Sequence, residues 1–213
     1  MPRLLRIDAS YEANGSVSRG LTGVFAEAWR SRGDGHTVIQ RDLRTDPVPH
    51  LTHAALHWAS EETPPADESH REAAQAQRAL VAELLSADVL LLGAPMYNYS
   101  LPSTLKAWLD QVHVRGLTSP AEEDTQPLRG RTAVIVTTRG TVHGLGTANE
   151  DRDHVVPPLE LILGEEFGME VHVVMVGRTL STSIAALAPE RSAFEAERDA
   201  AAARLTALAG SLA

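Results

Sequence analysis

The sequence predicts an α/β protein, a doubly wound parallel sheet of five strands with helices on both faces. Three observations predict it. Strand-like and helix-like segments alternate through five βα units, the pattern of a parallel sheet joined by right-handed crossovers. Residues 89–94, VLLLGA, are apolar throughout, as a central parallel strand covered on both faces must be. No linker or internal repeat divides the 213 residues, a length that suits one α/β domain over residues 1–213.

The elements follow in order. Residues 3–8 (RLLRID) read as a short buried strand. A polar loop at 9–18 leads to a helix, because Leu21, Val24, Phe25, Ala28 and Trp29 recur at i, i+3, i+4, i+7 and i+8. Gly33 and Gly35 close it. Residues 36–42 (HTVIQRD) form a second strand, polar enough to sit near a sheet edge. Residues 44–67 carry Pro47, Pro49, Pro64 and Pro65 without a clean period. They read as a long surface excursion with a helical piece around 52–60.

A helix at 69–87 precedes the apolar strand. After a loop at 95–103, Leu105, Trp108, Leu109 and Val112 mark a helix over 104–112. Residues 119–129 are acidic and read as exposed. Residues 132–138 (TAVIVTT) are a β-branched strand. A glycine-rich loop at 139–149, a helix at 155–167 and a strand at 170–176 (EVHVVMV) follow. An alanine-rich helix over 189–212, with the seam Ala201, Leu205, Leu208 and Leu212, ends the chain.

Composition excludes several functions. The formal net charge of −9 disfavours nucleic acid, whose phosphates call for basic patches. The absence of cysteine excludes a thiol nucleophile, a CxxC pair, thiolate metal sites and disulfides. Any redox chemistry must then be carried by a bound cofactor. The opening MPRLLRIDAS is too short an apolar run for a signal peptide, and residues 89–94 fall far short of a membrane span. The expected location is the cytoplasm, without membrane contact. The acidic runs Glu61-Glu62 and Glu122-Glu123-Asp124 suit solvated surface and receive no role.

In an open doubly wound sheet, ligands bind beyond the carboxyl ends of the strands near the switch in strand order. That rule selects the loops at 9–18, 95–100 and 139–149. The first places Ser10, Asn14, Gly15, Ser16 and Ser18 ahead of a helix, where free N–H groups and the dipole attract a phosphate. Its only arginine, Arg19, begins the helix. Ser16 or Ser18 equally suits a plain N-cap, and this loop alone does not separate capping from phosphate binding. Neither GxGxxG nor GxxxxGK[ST] follows the first strand, so the design suits a mononucleotide phosphate rather than a bridging pyrophosphate.

The second loop, Pro95-Met96-Tyr97-Asn98-Tyr99-Ser100, offers a proline and two aromatics to wall a flat ring. It also reads as a turn whose aromatics close the core. In the third, Gly140 allows close backbone approach. Arg139 can oppose negative charge on a ring and His143 can donate a hydrogen bond, and either also suits a solvated loop. His50, His53 and His57 would share a face if their stretch were helical, a spacing neutral imidazoles can use for zinc. No carboxylate completes an HExxH pattern, and no metal site is assigned.

Together the three loops resemble the FMN-dependent NADH-azoreductase and NADH:quinone oxidoreductase family, over nearly the whole chain. Ser10 and Ser16-Val17-Ser18 look like its phosphate loop. Ala94-Pro95-Met96-Tyr97-Asn98 matches its A-P-M-Y-N stretch, followed here by Tyr99 where phenylalanine is usual. Ser103-Thr104-Leu105-Lys106 and Leu109-Asp110 follow as in the family helix. Thr138-Arg139-Gly140-Thr141 resembles S-R-G-G, with His143 after it.

The resemblance implies a flavodoxin-like fold with strand order 2-1-3-4-5 and a tightly bound FMN. Ser10 and Ser16 to Ser18 would hold its phosphate, and Pro95 to Tyr99 and Thr138 to Thr141 its ring. It implies ping-pong hydride transfer from NADH or NADPH to a small-molecule acceptor, a quinone or an aromatic azo compound, with His143 a candidate proton donor. It also implies a homodimer with the active site at the interface. Thr141 stands where the family has glycine, which puts that turn's backbone in question. The acidic stretch from Ser119 replaces an aromatic segment, which leaves the substrate side less defined. A flavodoxin-type electron carrier, a reductase dedicated to a biosynthetic aromatic or quinone intermediate, and a flavin-free binding protein are the competing readings.

Overall fold

The computed structural model describes residues 1–59, 67–121, 126–144 and 146–212. Five strands, β1 (Arg3–Asp8), β2 (Thr37–Asp42), β3 (Val89–Pro95), β4 (Thr132–Thr138) and β5 (Glu170–Val176), form one sheet of order β2-β1-β3-β4-β5. Every pairing is parallel. Among the described residues five α-helices connect and close it: α1 (Val17–Arg30), α2 (Glu68–Leu85), α3 (Ser103–Val112), α4 (Val156–Leu159) and α5 (Arg191–Ser211).

The strands explain the two-layered packing. Alternate residues of a strand point to opposite faces. Leu5, Ile7, Leu90, Leu92 and Ile135 therefore bury against Leu80 and Leu84 of α2, Trp108 of α3 and Leu159 of α4. Leu4, Leu91, Val134 and Val174 bury on the other side against Phe25 and Trp29 of α1 and Leu205 of α5. β3 is buried at every position and sits in the middle of the sheet, whereas the polar β2 is an edge strand.

Three segments differ from expectation. Among its described residues, the excursion after β2 holds one 3-10 turn, Ala54–His57, and no longer helix. Beyond it the chain pairs with the segment after α3: Arg115 N–H donates to His57 O and Ala59 N–H to Arg115 O, both at 2.9 Å. Those bonds give the backbone its partners without a longer helix. His53 precedes the turn and stacks on His70 with centroids 4.6 Å apart, so His50, His53 and His57 do not share a helix face.

The stretch expected to be exposed at 119–129 is anchored at both ends. Ser119 and Leu128 are fully buried, Leu128 within the core layer of α2 and α3. Glu122-Glu123-Asp124 and Glu61-Glu62 lie outside the described residues. The helix expected at 155–167 begins as α4, with prolines in its first turn, and continues as a π-helical run, Glu160–Glu166. Among the described residues no helix is long and apolar enough to cross a membrane.

Candidate functional site

The carboxyl ends of β1, β3, β4 and β5 surround a cleft of about 460 Å³, within the range of roughly 300–1,000 Å³ usual for small-molecule sites. Of the residues singled out in the sequence, Ser10, Asn14, Gly15, Ser16, Val17, Pro95, Met96, Tyr97, Thr138 and Gly140 line it, whereas Ser18, Asn98, Tyr99, Arg139, Thr141 and His143 do not. Tyr11 and Glu12 also line it, as do Thr179, Leu180, Thr182 and Ser183.

The loop between β1 and α1 is built from its ends inward. Ser16 is the N-cap of α1, its Oγ accepting from Arg19 N–H at 3.3 Å. Ser18, in the first turn, places its Oγ 3.3 Å from that of Ser16. The backbone N–H groups of residues 13–18 donate to no other backbone group among the described residues. Capping and anion binding therefore coexist here, since the cap uses one hydroxyl and leaves a run of donors. Ser10 Oγ accepts from Glu12 N–H at 3.3 Å and shares a hydrogen bond of 3.2 Å with Tyr97 Oη, which itself accepts from Tyr11 N–H. Tyr97 thus ties the second loop to the first, and burial raises its hydroxyl pKa.

Charge is kept behind this loop. Asp8 at the end of β1 is buried, paired with Arg6 Nε at 2.9 Å and accepting from Thr22 Oγ1 at 2.6 Å. A Cβ on Gly93 would fall 2.8 Å from Asp8 Oδ1, so glycine in β3 leaves room for this carboxylate. Arg19 pairs with both oxygens of Asp42 at 2.8 and 3.0 Å. Burial pushes the Asp42 pKa up, but hydrogen bonds from Arg19 and Arg44 N–H, with the arginine charges, hold it below the usual range.

The second loop turns on two left-handed residues, Asn98 at φ 49° and Tyr99 at φ 69°. Tyr97 and Ser100 exchange both backbone hydrogen bonds around them at 3.0 Å. Two positive φ values inside such a pair make a type I′ hairpin turn. Asparagine tolerates that conformation and tyrosine does so at a cost. The Asn98 and Tyr99 N–H groups donate to no other backbone group among the described residues, while Tyr99 O accepts from His154 N–H at 3.0 Å.

The third loop corrects the reading of Arg139. Its side chain is fully buried and does not line the cleft. It donates to Asp153 Oδ2 at 3.1 Å from Nε and 2.6 Å from Nη2, to Thr138 O at 3.0 Å, and to Thr137 Oγ1. The physical reason is Asp153, whose charge compensates the buried guanidinium. Asp153 Oδ1 also accepts from Val155 and Val156 N–H at the start of α4. Burial raises the Asp153 pKa, but the Arg139 bonds and charge and the two N–H groups outweigh it and hold it low.

Thr141 has no positive φ, so a threonine fits where the resemblance led one to expect glycine. Its carbonyl accepts from His143 Nδ1 at 3.3 Å when that nitrogen carries the proton, and His143 Nε2 is buried without a partner among the described residues.

The fourth wall, Thr179 to Ser183, was not singled out in the sequence. It follows β5, so the strand-end rule that selected the other loops applies to it equally, but no glycine or aromatic cluster marks it. Arg178, at φ 59°, turns the chain into it and pairs with Glu197 and with Glu190 at 3.4 Å. Thr179 N–H donates to Arg139 O at 3.1 Å. Leu180 packs so closely on Gly140 that a Cβ there would fall 2.7 Å from Leu180 Cδ1.

Chemically, the cleft offers a run of N–H groups with serine hydroxyls at one end and a proline, methionine and tyrosine wall at the other. Among the described residues that line it, none is cationic. This donor set fits a phosphate monoester attached to a flat ring. With strand order 2-1-3-4-5, the arrangement defines a doubly wound α/β protein of the mononucleotide-binding type. The chain belongs to the flavodoxin-like fold family, whose model matches residues 2–207.

It is 45% identical over 206 residues to an FMN-dependent NADH:quinone oxidoreductase of Kineococcus radiotolerans, covering 96% of this chain and 97% of the relative. A protein of the same name from Frankia alni is 39% identical over 202 residues, covering 94% and 95%. Among solved structures, an azoreductase from Bacillus anthracis superposes with a TM-score of 0.83 at 18% identity, covering 99% of both chains. An FMN-dependent NADH-azoreductase from the same species, in complex with FMN, gives 0.77 at 20% identity, covering 97% of this chain and all of that one. At those identities the two structures bear on the fold.

Proposed function

We propose that the protein is an FMN-dependent NAD(P)H oxidoreductase that reduces quinones by two-electron transfer and cleaves aromatic azo compounds reductively. One observation carries the reading: the free N–H groups of residues 13–18, with the hydroxyls of Ser10, Ser16 and Ser18, open beside a wall of Pro95, Met96 and Tyr97. The names of the 45% and 39% identical relatives support it. FMN, when bound, supplies the hydride chemistry, taken from a reduced nicotinamide and passed to an acceptor in a ping-pong cycle.

The residues of the chain bind and orient. Ser10, Ser16, Val17 and Ser18 hold the phosphate through N–H and hydroxyl donors. Met96 and Tyr97 wall the ring, and the Asn98 and Tyr99 N–H groups serve its heteroatoms. Thr138, Gly140 and Thr141 approach its other edge through the backbone. Arg139 acts from behind, by fixing that backbone. His143 is assigned proton delivery to the acceptor, a role that a His143→Asn variant with unchanged quinone turnover across pH would remove. The exposed apolar residues Tyr11, Tyr99, Leu180 and Ile184 lie in or next to the segments that border the cleft, which favours a homodimer closing over it. The proposed location is the cytoplasm.

Anaerobic stopped-flow mixing of FMN-loaded protein with NADH or NADPH, then with a panel of quinones and azo dyes, tests the reading. The expected result is rapid bleaching of the flavin without a partner reductase and reoxidation by quinone. Slow bleaching with fast one-electron exchange would instead make the protein a flavodoxin-type carrier.

A further inference from the structure

Arg19 holds the phosphate loop from behind. Its Nη2 donates to Ser10 O at 2.7 Å and its Nε to Glu12 O at 3.3 Å, while both terminal nitrogens are clamped by the Asp42 carboxylate. Its backbone takes part as well: N–H donates to the Ser16 cap, and O accepts from Arg6 Nη2 at 2.9 Å and Thr22 Oγ1 at 3.0 Å. The guanidinium is largely covered, does not line the cleft, and lies 3.8 Å from Asp8 Oδ2.

The physical consequence concerns the sign of the loop's dipoles. A carbonyl oxygen facing a phosphate repels it, and an N–H attracts it. Arg19, which does not line the cleft, engages the carbonyls of Ser10 and Glu12, while the N–H groups from 13 to 18 have no backbone acceptor among the described residues. Asp42, from the edge strand β2, fixes Arg19 laterally with two hydrogen bonds, a geometry that lysine does not reproduce.

We propose that Arg19, clamped by Asp42, is the positioning residue of the phosphate loop and sets the preference of the site for a phosphorylated flavin over the unphosphorylated one. The proposal rests on the flavin reading above and adds a determinant of ligand class within that site.

The test titrates flavin-stripped wild-type, Arg19→Met, Arg19→Lys and Asp42→Asn proteins with FMN and, separately, riboflavin, following fluorescence quenching. The wild type is expected to bind FMN more tightly than riboflavin. Arg19→Met should lose about tenfold to a hundredfold in FMN affinity, the scale of a charged hydrogen bond or two, with riboflavin affinity within about twofold of wild type. Arg19→Lys, able to serve fewer acceptors, and Asp42→Asn, with Arg19 kept but less firmly held, should fall between. The ratio of the two affinities is read on folded protein, so general destabilisation, which weakens both ligands in parallel, does not mimic the effect. If Arg19→Met is insoluble, the lysine and Asp42→Asn variants carry the test. An unchanged ratio in the variants, or a parallel loss of both flavins, overturns the proposal alone. A wild type that binds neither flavin overturns the cofactor reading and the proposal with it.

Discussion

Asp153 shows how one carboxylate can organise a site it never lines. Its Oδ2 neutralises the fully buried Arg139 and its Oδ1 caps the first turn of α4. Replacing it with asparagine leaves the guanidinium buried without its counter-charge, which should cost about 3 kcal/mol at neutral pH. The pH dependence has a definite sign. The Asp153 pKa is lowered in the fold, so its stabilisation is present above the unfolded value of about 3.9 and lost as pH falls through the lower folded value. Urea denaturation of wild type and Asp153→Asn should therefore converge at acid pH and diverge near neutrality. Gly93 is a second fixed point. An alanine there meets Asp8 Oδ1 at 2.8 Å and Thr22 Cγ2 at 3.2 Å, and because Arg6 and Thr22 hold that carboxylate, Gly93→Ala should lose about 1–3 kcal/mol, read from the denaturation midpoint. The sequence showed Arg139 at the head of a glycine-rich loop but gave no sign of its link to Asp153, which lies 14 residues on. A pairing across that separation has no local pattern, so the arginine's burial was invisible before the fold.

Elements were legible where periodicity was strong and tertiary context added little. β1, β4 and β5 follow from short β-branched or apolar runs, and the polar character of β2 foretold its edge position. The excursion after β2 was not legible, because its backbone partners come from Arg115, beyond three intervening elements, α2, β3 and α3. The Asn98-Tyr99 turn lay in a recognised loop, yet its left-handed conformation at a tyrosine could not be read from residue type. Tyr99→Gly should relieve about 1 kcal/mol of backbone strain and raise the thermal midpoint of the flavin-free protein, while changing the acceptor side of the cleft. A lower midpoint would mean that packing of the half-exposed Tyr99 ring outweighs the strain. The loop after β5 escaped notice for another reason. Threonine, serine and leucine are common in any loop, and only the position of the segment at a strand end marked it.

At the scale of the whole molecule, the sheet brings four loops to one edge that are separated by most of the chain. A ligand bound there contacts segments following β1, β3, β4 and β5 together, so its binding free energy adds to the stability of the entire fold. FMN at about a hundredfold over its dissociation constant should add about 2.7 kcal/mol. For a chain of this size that is a rise of roughly 5–10 °C in thermal midpoint, measurable by scanning fluorimetry with and without FMN. Riboflavin should give a smaller rise at the same concentration. The resemblance seen in the sequence located three of these four loops, because their motifs are local. The strand order that brings them together was an expectation of the same resemblance, and the parallel pairings realise it.

The double use of Asp153 also has a kinetic consequence. Because the same carboxylate holds the loop after β4 and the amides that start α4, neither can open while the other stays closed. Fluctuations of the two segments should share one opening event, as a cooperative unit rather than two frayed ends. Under native conditions the Val155 and Val156 amides should then exchange with solvent deuterium at a common, slow rate. A flavin seated against Thr138 and Gly140 should slow both, though it lines up against neither.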